Sequence, residues 1–109
     1  MERLPTRVNN ADPSFSENKE ANLALVTELN ERLATARVGG GGKYEERHRS
    51  RGKFLARERI ERIIDPGTAF LELSTLAAYE LYDGRAHSAG IVTGVGVVHG
   101  RECLFVAND

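Results

Sequence analysis

The sequence predicts an α/β protein in which helices come first and a β-hairpin comes last. Residues 17–37 and 55–64 carry apolar side chains three and four positions apart, the spacing of helices packed through one face. Residues 91–98 and 101–108 instead form two mostly apolar arms around His99-Gly100, a pair that suits a tight turn. The second arm is apolar on both faces, which is typical of a strand inside a layered α/β protein.

The first helix is expected from about Glu17 to Arg37, after an irregular arm over residues 1–15. Residues 14–17 read SFSE, the spacing of a capping box that begins a helix. The apolar positions that should form its buried stripe are Ala21, Leu25, Val26, Leu29, Leu33 and Ala36. Four glycines at 39–42 end the helix. We interpret them as a joint, because no strand precedes them and no Gly-Lys-Ser/Thr follows.

Shorter elements follow the glycines. A charged helix is predicted at 43–49. The third predicted helix covers residues 55–64, with Ile60, Ile63 and Ile64 facing inward. Residues 65–67 read DPG and end that helix, and residues 70–73 form a short strand. Residues 77–89 lack a clear period, which predicts a loop or bent connector. Gly94 and Gly96 share one face of their strand, where glycine permits a bend or a close backbone approach.

Composition excludes several function classes. The net charge is −1, so no global field favours nucleic acid or an anionic membrane. No apolar stretch is long enough to span a bilayer, and the polar first ten residues predict no secretory signal. The single cysteine excludes an intrachain disulfide. We predict no metal site, since the three histidines lie in separate elements.

The charge is concentrated locally in residues 43–62, which hold eight basic and four acidic side chains. An arginine fork suits phosphate oxygens, and Lys53, Arg57 and Arg59 stand just before or within the first turn of a helix. The segment could therefore bind a phosphate-bearing ligand. Alternatively, its glutamates, Glu46, Glu58 and Glu61, pair with the arginines on the surface, and composition alone favours these pairs.

A series of motifs carries a family resemblance. Residues 51–60 read RGKFLARERI, and DPG, FLEL, AGIVTGVG, REC and VAND follow at 65–67, 70–73, 89–96, 101–103 and 106–109. In this order they closely resemble the start of the β subunits of biotin-dependent acyl-CoA carboxyltransferases. Residues 76–84, LAAYELYDG, resemble the methylcrotonyl-CoA branch more than the propionyl-CoA branch. The four glycines depart from the family pattern, as does Leu55-Ala56, where a Thr or Pro often precedes the Ala-Arg-Glu-Arg run.

The resemblance implies a fold and a reaction. Such subunits contain two crotonase-like domains, each a spiral of ββα units. Residues 16–109 would be the N-terminal helices and first strands of the first domain, which is therefore incomplete here. Carboxybiotin would supply the carboxyl group to the γ carbon of 3-methylcrotonyl-CoA, whose enolate-like oxygen is stabilised by backbone N–H groups. The loops that provide those groups lie beyond Asp109 in the family's order, so we expect no catalytic residue here.

The resemblance also implies binding residues and partners. Arg51, Lys53, Arg57 and Arg59 are candidates for contact with the CoA nucleotide or phosphates, although a role in bracing the helices is equally open. Biotin would be carried by a biotin carboxylase/biotin carrier α subunit and not attached to this chain, and further β subunits would complete the oligomer. The location would be the bacterial cytoplasm or, in a eukaryote, the mitochondrial matrix.

An alternative function comes from the basic segment alone. Residues 43–62 could serve a small RNA- or polyanion-binding module, or one used only for assembly. Tyr44 and Phe54 are the only aromatic side chains close to this segment's charges. Because base stacking usually needs an aromatic platform, this composition disfavours RNA binding.

Overall fold

Three helices precede a three-stranded antiparallel sheet in the computed structural model, which describes residues 3–109. The helices are α1 (Pro13–Val38), α2 (Gly42–Ser50) and α3 (Ala56–Ile63), and the strands are β1 (Leu71–Leu73), β2 (Ile91–Val98) and β3 (Arg101–Asn108). The chain divides into two units, Met1–Glu31 and Arg32–Asp109, with the boundary inside α1. Every predicted helix and strand is therefore present. No described helix is long and apolar enough to cross a membrane.

Helix α1 begins at Pro13, four residues before the predicted start. The Asp12 carboxylate accepts the backbone N–H of Ser14 at 2.9 Å and its hydroxyl at 2.8 Å, and the backbone bond in particular lowers the Asp12 pKa. Proline suits the first helical position because it has no N–H group to satisfy. The predicted capping box at residues 14–17 is therefore wrong, since Asp12 already caps the helix.

The apolar stripe of α1 differs between the two units. In the first unit, Leu25, Val26 and Leu29 are 64%, 51% and 47% exposed, so their predicted burial is wrong. In the second unit, Leu33 is half-buried and Ala36 is buried. The described part of the first unit contains no other helix or strand to cover the stripe. Helical spacing sets which residues share a face, whereas burial requires a neighbouring element.

The sheet has the order β1-β2-β3, with Leu71 opposite Val95 and Val98 opposite Arg101. His99 and Gly100 turn the hairpin, as predicted, and both have a positive φ, at 50° and 72°. This conformation suits a two-residue turn because its twist matches the twist of the strands.

Asp65 fixes the hairpin turn from outside the hairpin. Its two carboxylate oxygens accept the backbone N–H groups of His99 at 2.7 Å and Gly100 at 2.8 Å. These bonds, that of Gly100 first, lower the Asp65 pKa. The Asp65 N–H in turn donates to the Val97 carbonyl at 2.8 Å. Asp65, which follows the end of α3, therefore also joins this helix to the hairpin turn.

The core of the second unit lies between α3 and one face of the sheet. Its buried residues are Ala56, Ile60 and Val92, and the partly buried residues packed against them are Ile64, Phe70, Phe105 and Ala107. Ile63 is 53% exposed, so its predicted inward position is wrong. The buried row runs through positions 56, 60 and 64, each four residues apart, and Ile63 lies to one side of it.

The two strand glycines permit the close approach that the sequence predicts. A Cβ atom at Gly94 would lie against the Phe70 ring and 2.5 Å from the Leu71 carbonyl oxygen. A Cβ atom at Gly96 would lie 2.7 Å from Ile64 Cγ2. Such contacts are too short for any side chain, so glycine allows this face to pack tightly.

The predicted connector at residues 77–89 is irregular, as expected. It contains two short 3₁₀ turns, Leu81–Gly84 and His87–Gly90, each with two non-glycine residues at positive φ. Ser88 is buried, and its hydroxyl donates to the Thr75 carbonyl oxygen at 3.0 Å. The connector therefore places one polar side chain inside the second unit.

Candidate substrate-binding site

The basic segment 43–62 occupies two helices and the turn between them. Helix α2 carries its first half, and α3 carries Arg57, Arg59 and Arg62. Residues 51–55 connect the two helices, with Gly52 at a φ of 70°. The four candidate ligand-binding residues therefore lie along the turn and the first half of α3.

Arg57 lies at the centre of a polar cluster, which we call the Arg57 corner. Its Nη2 and Nε atoms donate to the two Glu72 carboxylate oxygens at 2.6 and 3.3 Å. Nη1 donates to Asp109 at 3.2 Å and to the Arg37 carbonyl at 3.4 Å, and Nη2 also donates to the Ser88 hydroxyl at 3.3 Å. All five guanidinium N–H donors thus have a partner, which leaves none for a ligand in this arrangement.

The Arg57 corner is largely withdrawn from solvent. The side chains of Arg57, Glu72 and Asp109 are 22%, 9% and 19% exposed. Gly39 is buried beside it with a φ of 72°, and a Cβ atom there would lie 3.2 Å from the Asp109 carboxylate. The first of the four glycines therefore allows the end of α1 to approach this cluster. For Arg57, the geometry favours the bracing interpretation that the sequence left open.

The other three candidates have a different environment. Arg51, Lys53 and Arg59 are exposed. Within residues 3–109, their side chains take part in none of the hydrogen bonds or ion pairs of the structure. These three residues, which we call the exposed cations, are available to an anionic ligand.

Two of the remaining arginines have a partner. Arg49 pairs with Glu58 at 2.6 Å, and the Arg62 guanidinium lies 3.8 Å from the centre of the Phe54 ring. Glu46 and Glu61 form no such pair in the described chain, so the predicted surface pairing holds only for Glu58. A carboxylate therefore neutralises Arg49, whereas the exposed cations have no such partner.

Glu58 also holds the turn that carries Arg51 and Lys53. Its second carboxylate oxygen accepts the Leu55 backbone N–H at 2.9 Å, which is the main cause of its lowered pKa, followed by the bond from Arg49. Leucine has no side-chain oxygen to complete a capping box, as the sequence implies. Glu58 therefore ties residues on both sides of the turn to the start of α3.

An open cleft lies beside α3, but it does not bring all four candidates together. Its lining includes Arg57, Arg62, Asp65, Phe70 and Glu72. The exposed cations do not line it. Among the described residues, no three His, Cys, Asp or Glu side chains form a group able to hold a metal ion.

Sequence reasoning missed the partners of Arg57. Glu72, Ser88 and Asp109 are 15, 31 and 52 residues away from it. The only available signal was a glutamate between two leucines in the predicted strand at 70–73. A glutamate on a covered sheet face requires a polar partner, but the identity of that partner depends on the fold.

The family model of the carboxyl transferase domain matches residues 47–109, more than half of the chain. The chain belongs to the carboxyl transferase domain family. It is 47% identical over 106 residues to the mitochondrial methylcrotonoyl-CoA carboxylase β chain of Arabidopsis thaliana, covering 97% of this chain and 18% of that protein. It is 50% identical over 97 residues to the biotin-dependent 3-methylcrotonyl-CoA carboxylase β1 subunit of Mycobacterium tuberculosis, covering 89% and 18%.

Solved structures of carboxyl transferases share the fold. The geranyl-CoA carboxylase β subunit of Pseudomonas aeruginosa aligns with a TM-score of 0.77 and 32% identity, over 96% of this chain and 20% of that one. The transcarboxylase 12S structure with hydrolysed methylmalonyl-CoA bound aligns with a TM-score of 0.68 and 29% identity, over 77% and 17%. The predicted crotonase-like α/β fold is confirmed as a partial domain. The chain spans about a fifth of the length of these proteins.

Proposed function

We propose that these residues belong to the carboxyltransferase subunit of a 3-methylcrotonyl-CoA carboxylase. The supporting observation is the graded identity within the family. About half of the residues are identical to two methylcrotonyl-CoA carboxylase β subunits, against 32% and 29% for geranyl-CoA carboxylase and transcarboxylase. The reaction would move a carboxyl group from carboxybiotin to 3-methylcrotonyl-CoA, a step of leucine catabolism.

The proposal assigns the remaining parts of the enzyme to other segments and chains. Carboxybiotin would arrive on a biotin carboxylase/biotin carrier α subunit, and further β subunits would complete the assembly. Residues 16–109 would begin the N-terminal carboxyltransferase domain, with the catalytic loops outside residues 1–109. The enzyme would work in the bacterial cytoplasm or the mitochondrial matrix.

Within this proposal, the exposed cations bind the phosphates of CoA. Arg51 and Arg59 offer planar forks, Lys53 offers a mobile ammonium group, and all three are exposed without a carboxylate partner in the described chain. Arg57, the fourth candidate, has no free donor, so we assign it to supporting this surface. An RNA- or polyanion-binding module, the alternative for residues 43–62, gains no support from the family match.

The test is carboxylation by the full-length subunit assembled with its α partner. We expect ATP-dependent incorporation of labelled bicarbonate to have its highest kcat/KM with 3-methylcrotonyl-CoA. Propionyl-CoA and geranyl-CoA are the comparison substrates, because the chain is also similar to a propionyl-CoA carboxylase β chain and to the geranyl-CoA carboxylase β subunit. A higher kcat/KM for either of them would refute the substrate assignment. No acyl-CoA-dependent incorporation by an intact complex would refute the enzymatic function.

A further inference from the structure

Phe54 is an exposed aromatic residue on the turn between α2 and α3. It is 46% exposed. It belongs neither to the hydrophobic core of the second unit nor to the ring pair that Phe70 forms with Phe105. An aromatic ring in water keeps a large apolar surface that a planar group can cover. At Phe54, a ligand of the basic segment can therefore gain apolar contact in addition to charge.

Arg62 covers one face of the Phe54 ring. Its guanidinium carbon lies 3.8 Å from the ring centroid, which is the distance of a stacked cation–π pair. Arg62 comes from the last turn of α3, so this helix supports the ring from one side. With that face occupied, Phe54 still keeps nearly half of its surface open to solvent. A ring supported in this way can accept a second planar group on its other face.

Hydrogen bonds fix the backbone on both sides of Phe54. The Lys53 N–H donates to the His48 carbonyl oxygen at 3.3 Å. The Leu55 N–H donates to the Glu58 carboxylate at 2.9 Å. A ligand that stacks on Phe54 does not have to order this turn first. Preorganisation of this kind raises affinity because less conformational entropy is lost on binding.

Two of the exposed cations lie beside the ring. Lys53 immediately precedes Phe54 and Arg51 lies three residues before it, and both are exposed without a carboxylate partner within residues 3–109. Consecutive Cα atoms are about 3.8 Å apart, so the ring and the Lys53 ammonium group start from neighbouring points. A nucleotide carries a planar base and phosphates on one sugar. The turn therefore offers one aromatic surface for a single base and cations for its phosphates.

We infer that Phe54, supported by Arg62, is the surface on which the adenine base of CoA stacks while the exposed cations hold the phosphates. This assignment rests on the proposed acyl-CoA function and extends it from the phosphates to the base. Adenine has a π face that stacks on an aromatic ring, and the Arg62 guanidinium adds a cation to the stack. ATP carries the same base beside phosphates, so the experiments separate CoA from ATP.

The first experiment compares two thioesters as substrates of the full-length subunit assembled with its α partner. One is 3-methylcrotonyl-CoA, and the other is 3-methylcrotonyl-pantetheine, which lacks the nucleotide. Phe54→Ala should raise KM for the CoA thioester roughly five- to thirty-fold through loss of one base–aromatic stack, with kcat nearly unchanged. KM for the pantetheine thioester and KM for ATP should not change. Phe54→Trp keeps an aromatic face and should restore the parental KM.

Tyr44→Ala is the matched control, because Tyr44 is a 69% exposed aromatic residue of α2 in the same basic segment. It should leave KM for both thioesters unchanged. If Phe54→Ala raises KM for both thioesters equally, or for neither, the base contact is wrong. A rise in KM for ATP alone would assign the ring to ATP and would also overturn the proposal.

The second experiment measures binding without turnover. In equilibrium dialysis of the full-length subunit, adenosine 3′,5′-bisphosphate tests the base together with its phosphates, and inorganic pyrophosphate tests the phosphates alone. We expect Phe54→Ala to weaken binding of the bisphosphate only, and Arg51→Gln to weaken binding of both probes. Phe54→Ala binding that matches the parent for the bisphosphate, or that is weakened equally for both probes, would overturn the proposal. Neither probe carries an acyl group, so the base contact and the proposed reaction can fail separately.

Discussion

Arg57 and the exposed cations use the same positive charge in opposite ways, although all four residues lie within the nine residues 51–59. Arg57 donates all five of its N–H groups within the second unit. Arg59, two residues later on the same helix, is exposed. Two positions on a helix differ by about 200°, so the first can face the sheet while the second faces solvent. On α3, helix geometry and not residue type separates the structural Arg57 from Arg59, which is available to a ligand.

The strongest test of this comparison is Arg57→Gln. It should lower the free energy of opening of β2 and β3 by about 2 to 4 kcal/mol, because Glu72 keeps a charge that is mostly buried and loses its closest partner, which leaves only Arg37 Nε at 3.9 Å. Native-state hydrogen exchange of the full-length subunit measures this opening. Arg59→Gln is the matched control and should change it by less than about 0.5 kcal/mol. Equal losses for the two variants would show that Arg57 does not brace the fold.

The next effect concerns binding. Arg51→Gln, Lys53→Gln and Arg59→Gln should each raise KM for the acyl-CoA roughly three- to ten-fold, because each loses one charge-assisted contact at an exposed site. kcat should remain nearly unchanged, since the phosphates are bound equally in the ground state and the transition state. Steady-state kinetics of the assembled enzyme measures both constants. Lys19→Gln, a cation of α1 outside the basic segment, is the control, and a KM unchanged in all three variants would exclude CoA contact.

The smallest expected effect is on thermal stability and concerns Asp65, whose carboxylate binds the hairpin turn at His99 and Gly100. Asp65 has a lowered pKa because backbone N–H groups bind its charged form. Its stabilising contribution should therefore be complete above the unfolded aspartate pKa of about 3.9, and be lost as the pH falls through the lower folded value. Thermal melting should show Asp65→Asn less stable than the parent near neutrality, with the difference closing in acid.

Asp83→Asn is the control for this pH dependence, because the Asp83 side chain is 88% exposed. It should melt like the parent throughout the pH range. A difference between Asp65→Asn and the parent that stays constant into acid would show that the Asp65 charge does not hold the turn. The hairpin would then depend on the His99-Gly100 conformation alone.

Local patterns predicted the elements of this fold well and their burial less well. The short helix at 43–49 and the turn at 99–100 follow from charge composition, glycine and spacing, all within a few residues. The start of α1 was misplaced because two capping patterns lie close together, at Asp12 and at Ser14. For the proposed binding site, the basic segment could be identified in advance, but the division between its arginines could not.

The sequence by itself determined the order of helices and strands, the hairpin with its turn, and the family, because these depend on near neighbours and on motif order. Tertiary structure alone decided that Arg57 binds Glu72 and Asp109, that Ile63 faces outward, and that Leu25 is exposed. Periodicity tells which residues share a face of an element. The segments that pack against that face lie many residues away in the chain, and no local sequence pattern specifies them.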